Sequence, residues 1–225
     1  MGGGEPEDVP LSAVAVTLTL GTGAVDAASV IRLGGVFSSV MTGNLVVFGN
    51  AAGTGKVESL VGAGLALAGY AVGVAAGTGI ARWVSAQVAG MLAALGAELL
   101  VLVLFAVGWL AGGERHVLLV LAASAMGLQS AAMRALGGRL AVSTTYLTGT
   151  LTGVISALLA PGLGVARLRD LAILTSLVAG AAAGTVTIFM VPAALPVIPL
   201  VTVVTAVAMT ALAIRLRRTP ARDAS

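Results

Sequence analysis

Cysteine is absent from the 225 residues, which excludes disulfides, thiolate metal sites and cysteine nucleophiles. Histidine occurs once, at His116, in a stretch that reads as a solvent-exposed loop, so no histidine cluster can gather a metal. Motifs of catalysis are missing too: there is no Walker-type phosphate loop, no GxSxG elbow and no HExxH. Neither an enzyme nor a cofactor is expected. Charged residues make up only 9% of the chain, against about 25% in soluble domains. Aromatic residues are scarce as well, at 4%.

What fills the chain is apolar and small. Hydrophobic residues reach 58%, glycines number 31, and mean hydropathy is +1.08. Small residues let helix backbones approach closely inside a bilayer, where water supplies no packing force. The implied fold class is an all-α polytopic membrane protein with the lipid bilayer as its first partner. A net charge of +3 and a pI near 10.2 would suggest nucleic acid in a soluble protein. Here the basic residues lie between apolar segments and at the C-terminus, where they orient a chain in the membrane, so nucleic acid is not an expected partner.

Crossing a hydrocarbon core of about 30 Å takes about 20 helical residues. Eight apolar segments can be delimited, near 11–31, 36–52, 59–81, 88–110, 117–136, 141–159, 171–191 and 197–214. Pro161, Pro192 and Pro196 punctuate the last three, as helix breakers at segment ends do. The second and sixth are shorter and more polar than the rest. The chain is expected to have about six spanning helices plus two short broken or re-entrant polar helices, with eight spans as the alternative. With six spans, Arg82, Arg134, Arg139, Arg167, Arg169 and the C-terminal arginines share a side with both termini. Arg32, Lys56 and Arg115 lie opposite. The excess of basic residues puts both termini in the cytoplasm, in a plasma or inner membrane. MGGGEPEDVP lacks the basic region of a signal peptide, and Pro6 breaks the myristoylation pattern. Residues 1–10 are read as a disordered cytosolic tail and 217–225 as a basic one.

Two stretches stand out from this background. VFSSVMTGNLVVFGN, from Val36 to Asn50, carries polar groups in an apolar segment, and VSTTYLTGTLTGVIS, from Val142 to Ser156, matches it. Sliding the chain by 106 residues without a gap aligns Gly21 with Gly127, Val36 with Val142, Thr42 with Thr148, Gly43 with Gly149 and Leu45 with Leu151. Ser38 and Ser39 then fall opposite Thr144 and Thr145, and Asn44 opposite Thr150. Shared membrane composition can produce such a match by chance. A true repeat divides a single membrane domain, 11–216, into halves 11–112 and 116–216. Three spans per half would invert the second half relative to the first, a frequent plan for secondary transporters.

The candidate substrate-binding residues are singled out by cost. Polar groups at membrane depth face a protein interior or a watery cavity, because lipid cannot satisfy them. Asp26 lies within the first segment, and is either a solute or proton site or an interfacial acid pairing with Arg32. Thr42, Gly43 and Asn44 with Thr148, Gly149 and Thr150 could offer backbone groups and hydroxyls to a ligand, or simply pack helices. Ser38, Ser39, Thr144, Thr145 and Gln129 complete the set. Glu98, midway along the fourth segment, is either protonated and inert or, with Asp26, a carrier of a coupling proton. Arg134 receives an anion, pairs with Asp26, or snorkels to the interface, the last being the commonest case.

GAVDAAS at 23–29 with VFSSVMTGNLVVFG at 36–49, and MGLQSAAMRAL at 126–136 with VSTTYLTGTLTG at 142–153, resemble the paired signatures of the YoaK-like family. These are small bacterial inner-membrane proteins catalogued as a domain of unknown function. The resemblance covers nearly the whole chain and implies six membrane spans. It implies no activity. The function expected from the residues is a secondary transporter or permease for a small polar or ionic solute, with its site between the two signatures. A channel, or a non-transporting scaffold or accessory subunit, is the alternative, and a homo-oligomer is left open.

Overall fold

The structure, a computed structural model, describes residues 8–84, 86–135, 147–158 and 165–218. Of the expected tails at 1–10 and 217–225, residues 1–7 and 219–225 lie outside the described residues, as do Arg139, Thr144 and Thr145, whereas 8–10 and 217–218 are helical rather than tail. Among the described residues the regular structure is helical: α1 (Asp8–Arg32), α2 (Met41–Thr54), α3 (Val57–Trp83), α4 (Gln87–Leu110), α5 (Arg115–Ala135), α6 (Leu147–Leu158), α7 (Val165–Met190) and α8 (Val197–Arg218). A short 3-10 turn, Pro192–Ala194, joins the last two. Six of these elements are long and apolar enough to cross a membrane: Leu11–Arg32, Val57–Trp83, Gln87–Leu110, Arg115–Ala135, Arg167–Met190 and Pro192–Leu216. The other two are short. At 1.5 Å per residue, the 14 residues of α2 and 12 of α6 reach only about 21 and 18 Å, too little for a core of about 30 Å. Among the described residues, the arrangement is six candidate spans with two short helices.

Each helix is set by local chemistry. His116 is not a loop residue as expected, because α5 begins one residue before it. Glu114 caps that start, its carboxylate accepting the N–H groups of His116 at 2.9 Å and Val117 at 3.0 Å, with His116 Nδ1 also 2.9 Å away. The bond from the His116 N–H is the main reason that this carboxyl is held below the usual carboxylate range. At the same end of the molecule Arg115 reaches Glu58 at 2.7 Å, tying the heads of α5 and α3.

Packing pairs helices that do not follow one another, and brings both ends of the chain together. α5 lies along α3, and α1 lies along α7; α4 adds to α5, and α8 adds to α1. Glycines make both central seams close. Gly127 of α5 sits against the Tyr70 carbonyl and the Val74 amide of α3, while Gly73 and Gly77 of α3 face Ser124 and Leu128. In the other seam Gly23 of α1 sits against the Leu177 carbonyl and the Ala181 amide of α7, while Gly180 and Gly184 face Leu20 and Ala24. A Cβ at these positions would meet backbone, or at Gly77 the Ala131 Cβ, so glycine is needed for the approach. Hydroxyls cross the same seams: Ser124 donates to the Gly69 carbonyl at 3.0 Å and Ser176 to the Val16 carbonyl at 2.6 Å. The core between the seams is made by Leu18, Val25, Leu95, Leu102, Phe105, Leu119 and Met126, all buried.

Candidate functional site

The second apolar segment does not run as one helix. After α1 ends at Arg32, Gly34 and Gly35 take φ values of 110° and 75°, a conformation that suits glycine and reverses the chain. Val36 to Val40 then runs back beside α1 without helical structure, and α2 starts only at Met41. The reversal carries Ser38 and Ser39 to Asp26, which stands six residues, about 9 Å, before the end of α1.

Asp26 is 7% exposed and takes four hydrogen bonds. Its Oδ1 accepts the Ser38 amide at 2.8 Å, the Ser38 hydroxyl at 2.7 Å and the Ser39 amide at 2.9 Å, and its Oδ2 accepts the Ser39 hydroxyl at 2.5 Å. Neither Arg32 nor Arg134 pairs with it among the described residues. A buried carboxylate needs such donors, and non-helical backbone inside a bundle needs such an acceptor; each satisfies the other. Asn44 fastens the same loop from the α2 side. Its Oδ1 accepts the Phe37 amide at 2.9 Å, and its Nδ2 donates to the Phe37 carbonyl at 2.6 Å, with Met41 Sδ at 3.8 Å. Asn44 is fully buried.

Four of the candidate residues are therefore brought together: Asp26, Ser38, Ser39 and Asn44 hold one folded-back strand of backbone. Gln129 is placed elsewhere, on α5, where its amide donates to the Thr22 hydroxyl of α1 at 2.8 Å. It ties the two central seams to each other. Thr42 is exposed on α2 and does not join the cluster, while Gly43 packs beside Phe37 and Val40. Thr148, Gly149 and Thr150 occupy the first turn of α6, and Gly149 is exposed.

Glu98 lies on the buried stripe of α4 formed by Met91, Ala94, Leu95, Leu102 and Phe105, and is fully buried. Among the described residues, neither of its carboxyl oxygens has a hydrogen-bond partner, and nor does the Ser29 hydroxyl. Among the described residues, no three His, Asp or Glu side chains gather as a metal site would require.

The fastening of the loop by Asn44 has a measurable consequence. Asn44→Ala strands the Phe37 amide and carbonyl, a loss of about 2 kcal/mol. In detergent the melting midpoint is expected to fall by about 4–8 °C. Thr42→Ala, on an exposed face two residues away, should stay within about 0.5 kcal/mol of wild type. Equal midpoints for the two variants would mean that Asn44 does not hold the loop.

Comparison with known proteins gives a family and a transmembrane relative. The model of a family described as "Protein of unknown function (DUF1275)" matches residues 14–210. The UPF0700 transmembrane protein YoaK of Bacillus subtilis (strain 168) is 35% identical over 146 residues, which span 61% of this chain and 63% of that one. The chain thus aligns with less than two thirds of that relative's length. No solved structure matches. The signatures at 23–49 and 126–153 fall inside the matched region, and the chain, a multi-pass membrane protein, belongs to the DUF1275 family.

Proposed function

We propose that this protein is a secondary transporter for a small polar or ionic solute, not an enzyme, and that it works by the relative motion of two inverted halves. The observation that carries the proposal is the folded-back, non-helical segment 36–40 held at depth by a buried carboxylate. Backbone of this kind is tolerated inside a membrane only where protein surrounds it or it lines a cavity, and transporters build their sites from it. Asp26, Ser38, Ser39 and Asn44, together with the matching segment 144–150, then form the solute site.

Two halves are supported by the seams. Gly127 meets Tyr70 and Val74, and Gly23 meets Leu177 and Ala181; both partners lie 107 residues apart (70 to 177, 74 to 181). The first and fifth helices correspond at 104 residues instead (Gly23 to Gly127, Leu20 to Ser124, Ala24 to Leu128). The short helices begin at Met41 and Leu147, 106 apart. The gap-free alignment thus fits α2 and α6, whereas α1 and α5 match two residues out of that register. In the new register Asp26 stands opposite Ser130, whose hydroxyl accepts from Tyr70 at 2.9 Å. Only the first half carries the acid. Three spans in each half make the repeat inverted, and the arginines at the ends of α3, α5 and α8 favour cytoplasmic termini in a plasma or inner membrane.

Glu98, buried and without a hydrogen-bond partner among the described residues, is the natural carrier of a coupling proton in this scheme. Reconstituted protein with a pH-sensitive dye in the vesicle lumen should acidify or alkalinise the lumen when a transported solute from a panel of polar metabolites and inorganic ions is added. Glu98→Gln keeps the shape of the side chain, and should leave solute exchange intact while abolishing the lumen pH change. A Glu98→Gln protein that still moves protons would remove Glu98 from the scheme. Failure of the wild type to move any solute across the panel would sink the transport proposal itself.

One observation favours a non-transporting scaffold instead. Every polar side-chain atom of Asp26, Ser38, Ser39 and Asn44 is already bonded within the chain. Single cysteines at Ser38 and Thr144 separate the two: a transporter exposes both to a water-soluble thiol reagent from a common cavity, and a scaffold leaves Ser38→Cys unreactive in every state.

A further inference from the structure

The end of the bundle away from Glu58 and Arg115 holds a cleft that the transport proposal does not use. Its volume is about 400 Å³, and it lies where α3 ends, α4 begins and α5 ends. Thr78 and Arg82 line it from α3, Gln87 from the first turn of α4, and Ala131 and Arg134 from α5. Arg82 and Arg134 thus line the same space. Two other arginines have acids beside them: Arg115 has Glu58, and Arg169 reaches Asp170 at 3.2 Å. Among the described residues, neither Arg82 nor Arg134 is in an ion pair or a hydrogen bond. Two cations placed together without an acid repel each other until an anion enters.

A further feature of the cleft favours an anion. α4 is 24 residues long and opens at its wall, and the residue before it, Ala86, provides no side-chain cap. The free amides and positive end of such a helix attract negative charge. We propose that this cleft binds a phosphate group, with Arg82 and Arg134 as its two forks and Thr78 and Gln87 as neutral donors. Guanidinium matches phosphate oxygens in pairs, which a lone ammonium cannot do. The space lies in the range of small-molecule sites, about 300–1,000 Å³, so it takes a phosphate with the group that bears it. Trp83, next to Arg82, is 94% exposed, as an aromatic residue at a membrane surface would be. The phosphate can belong to an anionic lipid headgroup entering from the bilayer or to a free solute.

The test uses the full-length protein in nanodiscs and in detergent. Native mass spectrometry compares retention of phosphatidylglycerol with that of phosphatidylcholine, and thermal melting is followed with added inorganic phosphate. Retention of phosphatidylglycerol over phosphatidylcholine assigns the site to a lipid, whereas a rise in melting midpoint with inorganic phosphate assigns it to a free anion. Either result must weaken at least tenfold in R82Q/R134Q. R82K/R134K, which keeps the charges and guards against a folding defect, should weaken severalfold because the paired geometry is lost. R115Q, at the other end of the bundle, should bind as wild type does. The proposal is overturned by equal retention of both lipids with no phosphate response, by an unchanged R82Q/R134Q protein, or by an equal loss in R115Q. Flux measurements do not bear on it, so it stands or falls separately from transport.

Discussion

Asp26→Ala lowers the melting midpoint of the purified protein by about 6–12 °C. The expectation comes from four donors that lose their acceptor at once, the amides and hydroxyls of Ser38 and Ser39, all in a buried loop. Each orphaned donor costs about 1–3 kcal/mol, and relaxation of the loop holds the total to about 3 kcal/mol. For a chain of this size, each kcal/mol moves the midpoint by about 2–4 °C. Asp26→Asn should be milder, near 1 kcal/mol, because its amide oxygen can still accept the Ser38 bonds. The pair of variants separates holding from transport. If the carboxylate also serves the solute, Asp26→Asn stays folded and carries no flux. An unchanged midpoint for Asp26→Ala would show that segment 36–40 is held by something else.

Gly127→Ala and Gly23→Ala are each expected to cost about 2–3 kcal/mol, although each adds a single methyl group. The added carbon at 127 meets the Tyr70 carbonyl and Val74 amide, and the one at 23 meets the Leu177 carbonyl and Ala181 amide. Backbone cannot turn aside as a flexible side chain does, so a whole helix must shift. Melting midpoints should fall by about 5–10 °C for both. Gly49→Ala and Gly79→Ala, where a Cβ would meet nothing within 4 Å, should leave the midpoint unchanged or slightly raised. Similar losses at 23 and 127 are also what two equivalent halves require. A large loss at one and none at the other would break that equivalence.

Much of the fold was legible in hydropathy. Each of the eight apolar segments overlaps one described helix, since span length and loop polarity are written locally, although α7 begins six residues before the expected 171. The start of α2 was not legible. Val36 to Val40 is as apolar as the first turns of α2, and it leaves the helix because Asp26 and Asn44 capture its backbone from outside. Asp26 and its neighbours were visible as polar groups in an apolar setting, but their partners were not. Arg32 and Arg134 were the plausible ones by charge, and the double glycine at 34 and 35 decided for Ser38 and Ser39 by turning the chain. The seams had a signal that sequence reasoning missed: GVAAGT at 73–78 recurs as GAAAGT at 180–185. Of the Arg82–Arg134 cleft only Arg134 was visible, as one receiver of an anion; its pairing with Arg82 was not, because the two lie in different segments and meet only once α3 and α5 pack.

The range of Asp26's bonds matters for how the protein is made. Its partners lie 12 and 13 residues further on, whereas α1's own packing partners come much later; the Ser176 bond to Val16 spans 160 residues. A newly inserted α1 must therefore wait in lipid for most of translation before α7 and α8 arrive. An unpartnered acid in a span costs about 2.5–3.5 kcal/mol on insertion scales, enough to make that wait precarious. Ser38 and Ser39 emerge almost at once and can take up the carboxylate, so the nascent chain carries its own chaperone for the charge in α1.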